Sequence, residues 1–214
     1  MIKLIIFDLD GTLADTSIDI TNAINYALEP FAVTPYSVQQ TMAMVGSGIS
    51  KLLESLLPPE SSNPQAIKIV TDRFLKYYDH HLVDNTVAYP GVTATLAKLS
   101  DYKMAVVSNK REVYSKRVIA HLGLQGYFDL VYGSDSVTKK KPSPVPIQML
   151  LKKYEIRPEQ AVMVGDSEFD VEAGLAAGVN VIAVTYGFRP REMLMNATYV
   201  LDRFDAISEI INQL

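Results

Sequence analysis

Four short runs of aliphatic and β-branched residues punctuate the chain, at Lys3–Asp8, Lys103–Ser108, Ala161–Val164 and Asn180–Val184, with weaker runs at Leu130–Tyr132 and Tyr199–Leu201. Apolar residues at successive rather than alternate positions predict strands buried on both faces. Between them, apolar residues recur at helical spacing in Val92–Leu99, Glu112–Leu122, Val145–Tyr154, Phe169–Ala177 and Asp205–Leu214. Strand alternating with helix predicts an α/β fold: a doubly wound parallel sheet, Rossmann-like, with helices on both faces. In such sheets ligands bind beyond the carboxyl ends of the strands.

One stretch breaks the alternation. From Thr16 to Asn85 the pattern gives helices at Ile18–Leu28, Val38–Met44, Ile49–Leu57 and Pro64–Leu82 and no convincing strand, which predicts an inserted all-helical domain. Residues 1–15 and 86–214 would form the core and residues 16–85 the insertion. Asp15-Thr16 and Tyr89-Pro90-Gly91 are candidate hinges, so the insertion is expected to act as a lid. Ser61-Ser62-Asn63-Pro64 and the proline-rich Lys141–Pro146 read as local loops.

Composition narrows the chemistry. The 20 basic and 24 acidic side chains give a formal charge of −4, spread along the chain, so nothing electrostatic favours nucleic acid or an anionic membrane and a small-molecule partner is expected. Without cysteine there is no disulfide framework, thiolate nucleophile or cysteine-ligated metal. The first apolar run, Ile2–Phe7, is too short for a signal-peptide core or a membrane span, which makes a cytoplasmic location the expectation.

The strand ends carry the reactive groups. Asp8 and Asp10, two apart on an extended chain, project to the same side before Gly11 and Thr12 turn the chain. Two such charges about 4 Å apart repel by roughly 4 kcal/mol at an effective dielectric near 20, which a cation or a retained proton would relieve; on its own, Asp-Leu-Asp-Gly is equally compatible with a simple turn. Ser108 and Asn109 could bind phosphate oxygens or cap the helix that follows. Lys141, the last of three consecutive lysines and fixed by Pro142, is a candidate phosphate partner, whereas Lys139 and Lys140 are expected in solvent. In Gly165-Asp166-Ser167-Glu168-Phe169-Asp170 two carboxylates four apart share one face of a helix start, although Asp170 could simply favour the helix dipole. Asp8, Asp10, Asp166 and Asp170 together would suit a hard divalent cation, and Mg²⁺ fits best.

In this order, Asp-x-Asp-Gly-Thr, Ser108, Lys141-Pro142 and Gly165-Asp166-Ser167-x-x-Asp170 resemble the haloacid dehalogenase-like hydrolases. The resemblance extends through Val45-Gly46-Ser47-Gly48, Tyr89-Pro90-Gly91-Val92 and Thr185-Tyr186-Gly187-Phe188. The helical insertion resembles the cap of the subgroup that includes phosphoglycolate phosphatase. The resemblance implies a phosphatase acting on a small phosphorylated metabolite, with 2-phosphoglycolate the leading candidate. It makes Asp8 the nucleophile that becomes an aspartyl phosphate and Asp10 the acid and base. It implies Mg²⁺ on the Asp8 carboxylate, the Asp10 backbone carbonyl and Asp166, with Asp170 in support, and phosphate bound by Thr12, Ser108, Asn109 and Lys141. Pyrophosphatase, nucleotidase and phosphomutase activities, and a non-catalytic phosphate-recognising module, are the alternatives. His80, His81 and His121 are expected to have no chemical role.

Overall fold

A computed structural model describes residues 1–59 and 62–214; Ser61, at the head of the expected Ser61–Pro64 loop, lies outside the described residues. In chain order the strands are β1 (Leu4–Phe7), β2 (Ala14–Asp15), β3 (Val87–Ala88), β4 (Lys103–Val107), β5 (Leu130–Tyr132), β6 (Ala161–Gly165), β7 (Asn180–Val184) and β8 (Tyr199–Leu201). The helices are α1 (Ser17–Leu28), α2 (Val38–Met44), α3 (Ile49–Leu56), α4 (Pro64–His80), α5 (Val92–Lys98), α6 (Glu112–His121), α7 (Val145–Tyr154), α8 (Glu168–Ala177) and α9 (Ile207–Gln213). The chain divides into two compact units, Met1–Asp15 with Val87–Leu214, and Thr16–Thr86.

The first unit is an α/β fold on a six-stranded sheet in the order β5-β4-β1-β6-β7-β8, parallel throughout. β1 lies inside it with Phe7 level with Val106 of β4 and Val164 of β6. Connections run outward from β1 in both directions, so the strand order reverses there, the place where open parallel sheets bind ligands. All four residues of β1 are buried, which is why its sequence shows an apolar run and no alternation. Leu4 and Ile6 face a cluster with Ile147 and Leu150 of α7 and Val171 and Ala173 of α8. Phe7, pointing the other way, stacks on Phe204 with ring centroids 5.9 Å apart. Gly174 lets α8 lie close against the sheet, since a Cβ there would come within 2.5 Å of the Val181 side chain.

β2 and β3 form a separate two-stranded antiparallel ladder, with Ala14 opposite Ala88 and Asp15 opposite Val87. Two residues are too few for any periodicity to announce them. Some boundaries shift for local reasons. α8 begins at Glu168 because Ser167 and Asp170 form a capping box around its first turn. The last predicted helix opens with a 3₁₀ turn at Phe204–Ala206 before α9.

In the second unit α4 packs against α1 and α3, burying Ile20, Ile24 and Leu28 of α1, Leu52 and Leu53 of α3, and Val70 and Phe74 of α4. Ser37 and Gln40 cap α2 reciprocally, and Asn63 caps α4 ahead of Pro64. The buried Asp19 carboxylate, in the first turn of α1, accepts hydrogen bonds from the Asn85 backbone N–H at 3.0 Å, from Asn85 Nδ2 at 2.8 Å and from Thr86 Oγ1 at 2.7 Å, joining the two ends of this unit. Among the described residues no helix is long and apolar enough to cross a membrane.

Because Leu4 is fully buried at the centre of the sheet, Leu4→Ala should cost about 2–5 kcal/mol of stability through lost burial and a residual cavity, measured by denaturant unfolding.

Candidate active site

Asp8 extends β1 by one residue, its N–H donating to the Val164 carbonyl at 2.9 Å. The chain then folds around the Leu9 carbonyl, which accepts from the N–H groups of Thr12, Leu13 and Ala14. Gly11, at φ 84°, closes this turn: a Cβ there would come within 2.1 Å of Asp166 Oδ2, and one on Gly187 within 2.4 Å of the Asp166 side chain. Two glycines thus make room for Asp166 at the end of β6. Its carboxylate accepts from the Thr12 hydroxyl at 2.9 Å and from the Phe188 N–H at 2.7 Å.

Lys141 joins the other two acids. Its Nζ lies 2.9 Å from Asp8 Oδ1 and 2.6 Å from Asp170 Oδ1, with Lys141 2% exposed. The second oxygen of Asp170 accepts from the backbone N–H and hydroxyl of Ser167, at 3.1 and 2.6 Å. Asp8, Asp166 and Asp170 are all buried, and each offers an oxygen within 4.8 Å of the others. Asp8 Oδ1 is buried and makes no hydrogen bond beyond its ion pair with Lys141.

Such crowding distorts the acidities. Burial, with the Asp170 and Asp10 charges, outweighs Lys141 and pushes the Asp8 carboxyl up from 3.8 to about 7. Burial and the Asp170 and Asp8 charges raise Asp166 well above the carboxylate range, against the donors Phe188 and Thr12. For Lys141, burial acts to lower the pKa, but the Asp170 and Asp8 charges win and hold it protonated. A set of buried oxygens with excess negative charge is suited to a hard divalent cation.

The remaining sequence candidates surround this triad. Thr12 is committed to Asp166. Ser108 prolongs β4, its N–H donating to the Tyr132 carbonyl at 2.9 Å, and its hydroxyl accepts from the Lys110 N–H at 3.2 Å. Asn109 Nδ2 donates to the Lys141 carbonyl at 3.0 Å, which ties the end of β4 to the lysine loop. Neither Ser108 nor Asn109 caps α6; the Glu112 N–H at its start is taken by the Asp135 carboxylate at 2.8 Å. The Asp10 carboxylate stands outside the triad, paired with Lys110 Nζ at 2.5 Å, with both side chains largely buried. Tyr186 donates its hydroxyl to the Thr12 carbonyl at 2.8 Å and packs on Tyr89, with ring centroids 4.6 Å apart. Sequence reasoning missed Lys110, Asp135 and Tyr186 as partners of the site; the only signal for Lys110 was its place directly after Ser108-Asn109.

With this geometry in view, residues 5–184 match the sequence pattern of the family described as haloacid dehalogenase-like hydrolase. The chain belongs to the haloacid dehalogenase-like hydrolases. Among curated relatives, a phosphoglycolate phosphatase of Aquifex aeolicus is 37% identical over 87% of this chain and 86% of its own length. Another, of Psychrobacter arcticus, is 33% identical over 98% of this chain and 95% of its own. Among solved structures, one described as a predicted phosphoglycolate phosphatase from Haemophilus somnus superposes with a TM-score of 0.90 at 30% identity, covering 98% of this chain and 97% of that one. A second, described as a predicted phosphatase from Clostridium acetobutylicum, gives 0.88 at 27% identity over the full length of both.

The raised pKa of Asp8 also bears on stability. The folded carboxyl keeps its proton up to about pH 7 while the unfolded one loses it near 3.8, so the stability it contributes falls as pH rises through that window. Thermal melts in chelator should therefore show a decline between pH 5 and 7.5 that is shallower in Asp8→Asn.

Proposed function

We propose that this hydrolase is a Mg²⁺-dependent phosphomonoesterase whose substrate is 2-phosphoglycolate, working through an aspartyl phosphate on Asp8. The observation that carries the reading is the buried triad Asp8, Asp166 and Asp170 closed by Lys141. The names and similarity of phosphoglycolate phosphatases from several bacteria support the substrate.

The Asp8 and Asp166 carboxylates and the Asp10 backbone carbonyl would hold Mg²⁺, with Asp170 in support, and the ion would supply positive charge to the phosphoryl oxygens. An Asp8 carboxylate oxygen attacks phosphorus, the bond from phosphorus to the ester oxygen breaks, and Asp10 gives a proton to the departing oxygen. Water then attacks the aspartyl phosphate, Asp10 takes the water proton, and inorganic phosphate leaves with Asp8 restored. Lys141 and the Ser108 hydroxyl hold the transferring phosphoryl group. Thr12 also orients Asp166, and Asn109 also holds the Lys141 loop through its carbonyl, alongside the phosphate contacts expected of both. The helical unit Thr16–Thr86, which the chain enters just after Asp15, is the cap that selects the substrate.

A phosphate-release screen across monoesters and pyrophosphate, with and without Mg²⁺, tests the reading; 2-phosphoglycolate should lead and chelator should abolish release. Asp8→Asn should reduce turnover to background while the protein still melts cooperatively, because shape is kept and the nucleophile is lost. Asp166→Asn should lower activity by about 10–100-fold or more and raise the Mg²⁺ concentration needed for half-maximal rate, as loss of a group that tunes a metal site does; an unchanged metal titration would remove Asp166 from the ligand set.

A further inference from the structure

The site holds a second buried lysine to which the reaction just described gives no task. Lys110 Nζ lies 2.5 Å from Asp10 Oδ1, and the side chains are 6% and 13% exposed. Its backbone is fixed on both sides: the N–H donates to Ser108 Oγ at 3.2 Å and the carbonyl accepts from the Ser134 N–H at 2.9 Å. Asp10 is fixed as well, since the neighbouring Gly11 N–H donates to the Ala14 carbonyl at 2.9 Å and Asp10 bridges to Ala14. Two short, tethered backbones therefore aim an ammonium and a carboxylate at each other in a poorly solvated place, where an ion pair of this geometry is strong. The other lysine, Lys141, is shared between Asp8 and Asp170.

We propose that Lys110 is a positioning residue for Asp10. It selects the one side-chain orientation from which the carboxylate reaches the ester oxygen. An acid that must sit within hydrogen-bond reach of the oxygen it protonates gains from being held before the substrate arrives. The inference rests on the phosphatase reading, since it assigns Lys110 a part in that reaction's proton step.

The test exploits the leaving group. A glycolate oxygen needs a proton to depart, and p-nitrophenolate does not. Lys110→Met replaces a buried pair member with an apolar chain of similar length, and Lys110→Gln keeps a donor if the first variant folds poorly. For 2-phosphoglycolate, either should lower kcat by about 10- to 100-fold with KM little changed, the scale expected when a catalytic group is displaced by about 1 Å. The single-turnover burst of p-nitrophenol from p-nitrophenyl phosphate should fall far less. In an Asp10→Asn background the same substitution should add less than about twofold on either substrate, because its partner is already gone. Equal losses on both esters, a full multiplicative loss in the Asp10→Asn background, or a rise in KM with kcat preserved would each overturn the proposal. Absence of wild-type turnover on every monoester would instead sink the phosphatase reading and the Lys110 assignment with it.

Discussion

Repulsion among buried carboxylates is the constraint around which this protein is organised. Asp8, Asp166 and Asp170 bring oxygens within 4.8 Å of one another in a place with little solvent, and Lys141 offsets only part of that charge. Such a cluster would relax apart if its members sat on mobile chain. Two of them are instead pinned by donors, the Phe188 N–H and Thr12 hydroxyl on Asp166 and the Ser167 N–H and hydroxyl on Asp170, while Asp8 is held by its ion pair with Lys141. Because the fold holds the acids together, their repulsion is relieved by Lys141, by a proton retained on Asp8, or by a bound cation.

The sheet makes this possible. Parallel pairing places Phe7, Val106 and Val164 in one row, so the residues that follow these strands emerge together at one edge. Asp8, Ser108 and Asp166 are neighbours for that reason, although 158 positions separate the first from the last, from 166 − 8. Helices α7 and α8 then seal the face carrying Leu4 and Ile6, and Gly174 allows the close approach. Burial of the strands and reactivity at their ends are therefore two results of one arrangement.

Much of this was legible in the sequence. Strands buried on both faces write themselves as unbroken apolar runs, and each main run coincides with a strand to within two residues at either end. The aspartates could be picked out because carboxylates directly after an apolar strand are conspicuous. What could not be read was partnership. The Thr12 hydroxyl finds Asp166 across 154 positions and the Asn109 amide finds the Lys141 carbonyl across 32; local reasoning offered them only phosphate or a helix cap. Lys110 looked like any lysine near a helix start, since its burial is created by tertiary packing. The β2–β3 ladder has too few residues to carry a pattern.

The two glycines beside Asp166 carry a lesson about tolerance to change. Where side chains form the wall of a site, substitution can reshape that wall by degrees, and a lineage can explore new contacts one methyl group at a time. Around Asp166 the wall at Gly11 and Gly187 is bare main chain, so the smallest possible addition already occupies the space of the acid itself. Variation in what this protein recognises must therefore come from elsewhere in the chain, while this corner can only be kept or lost.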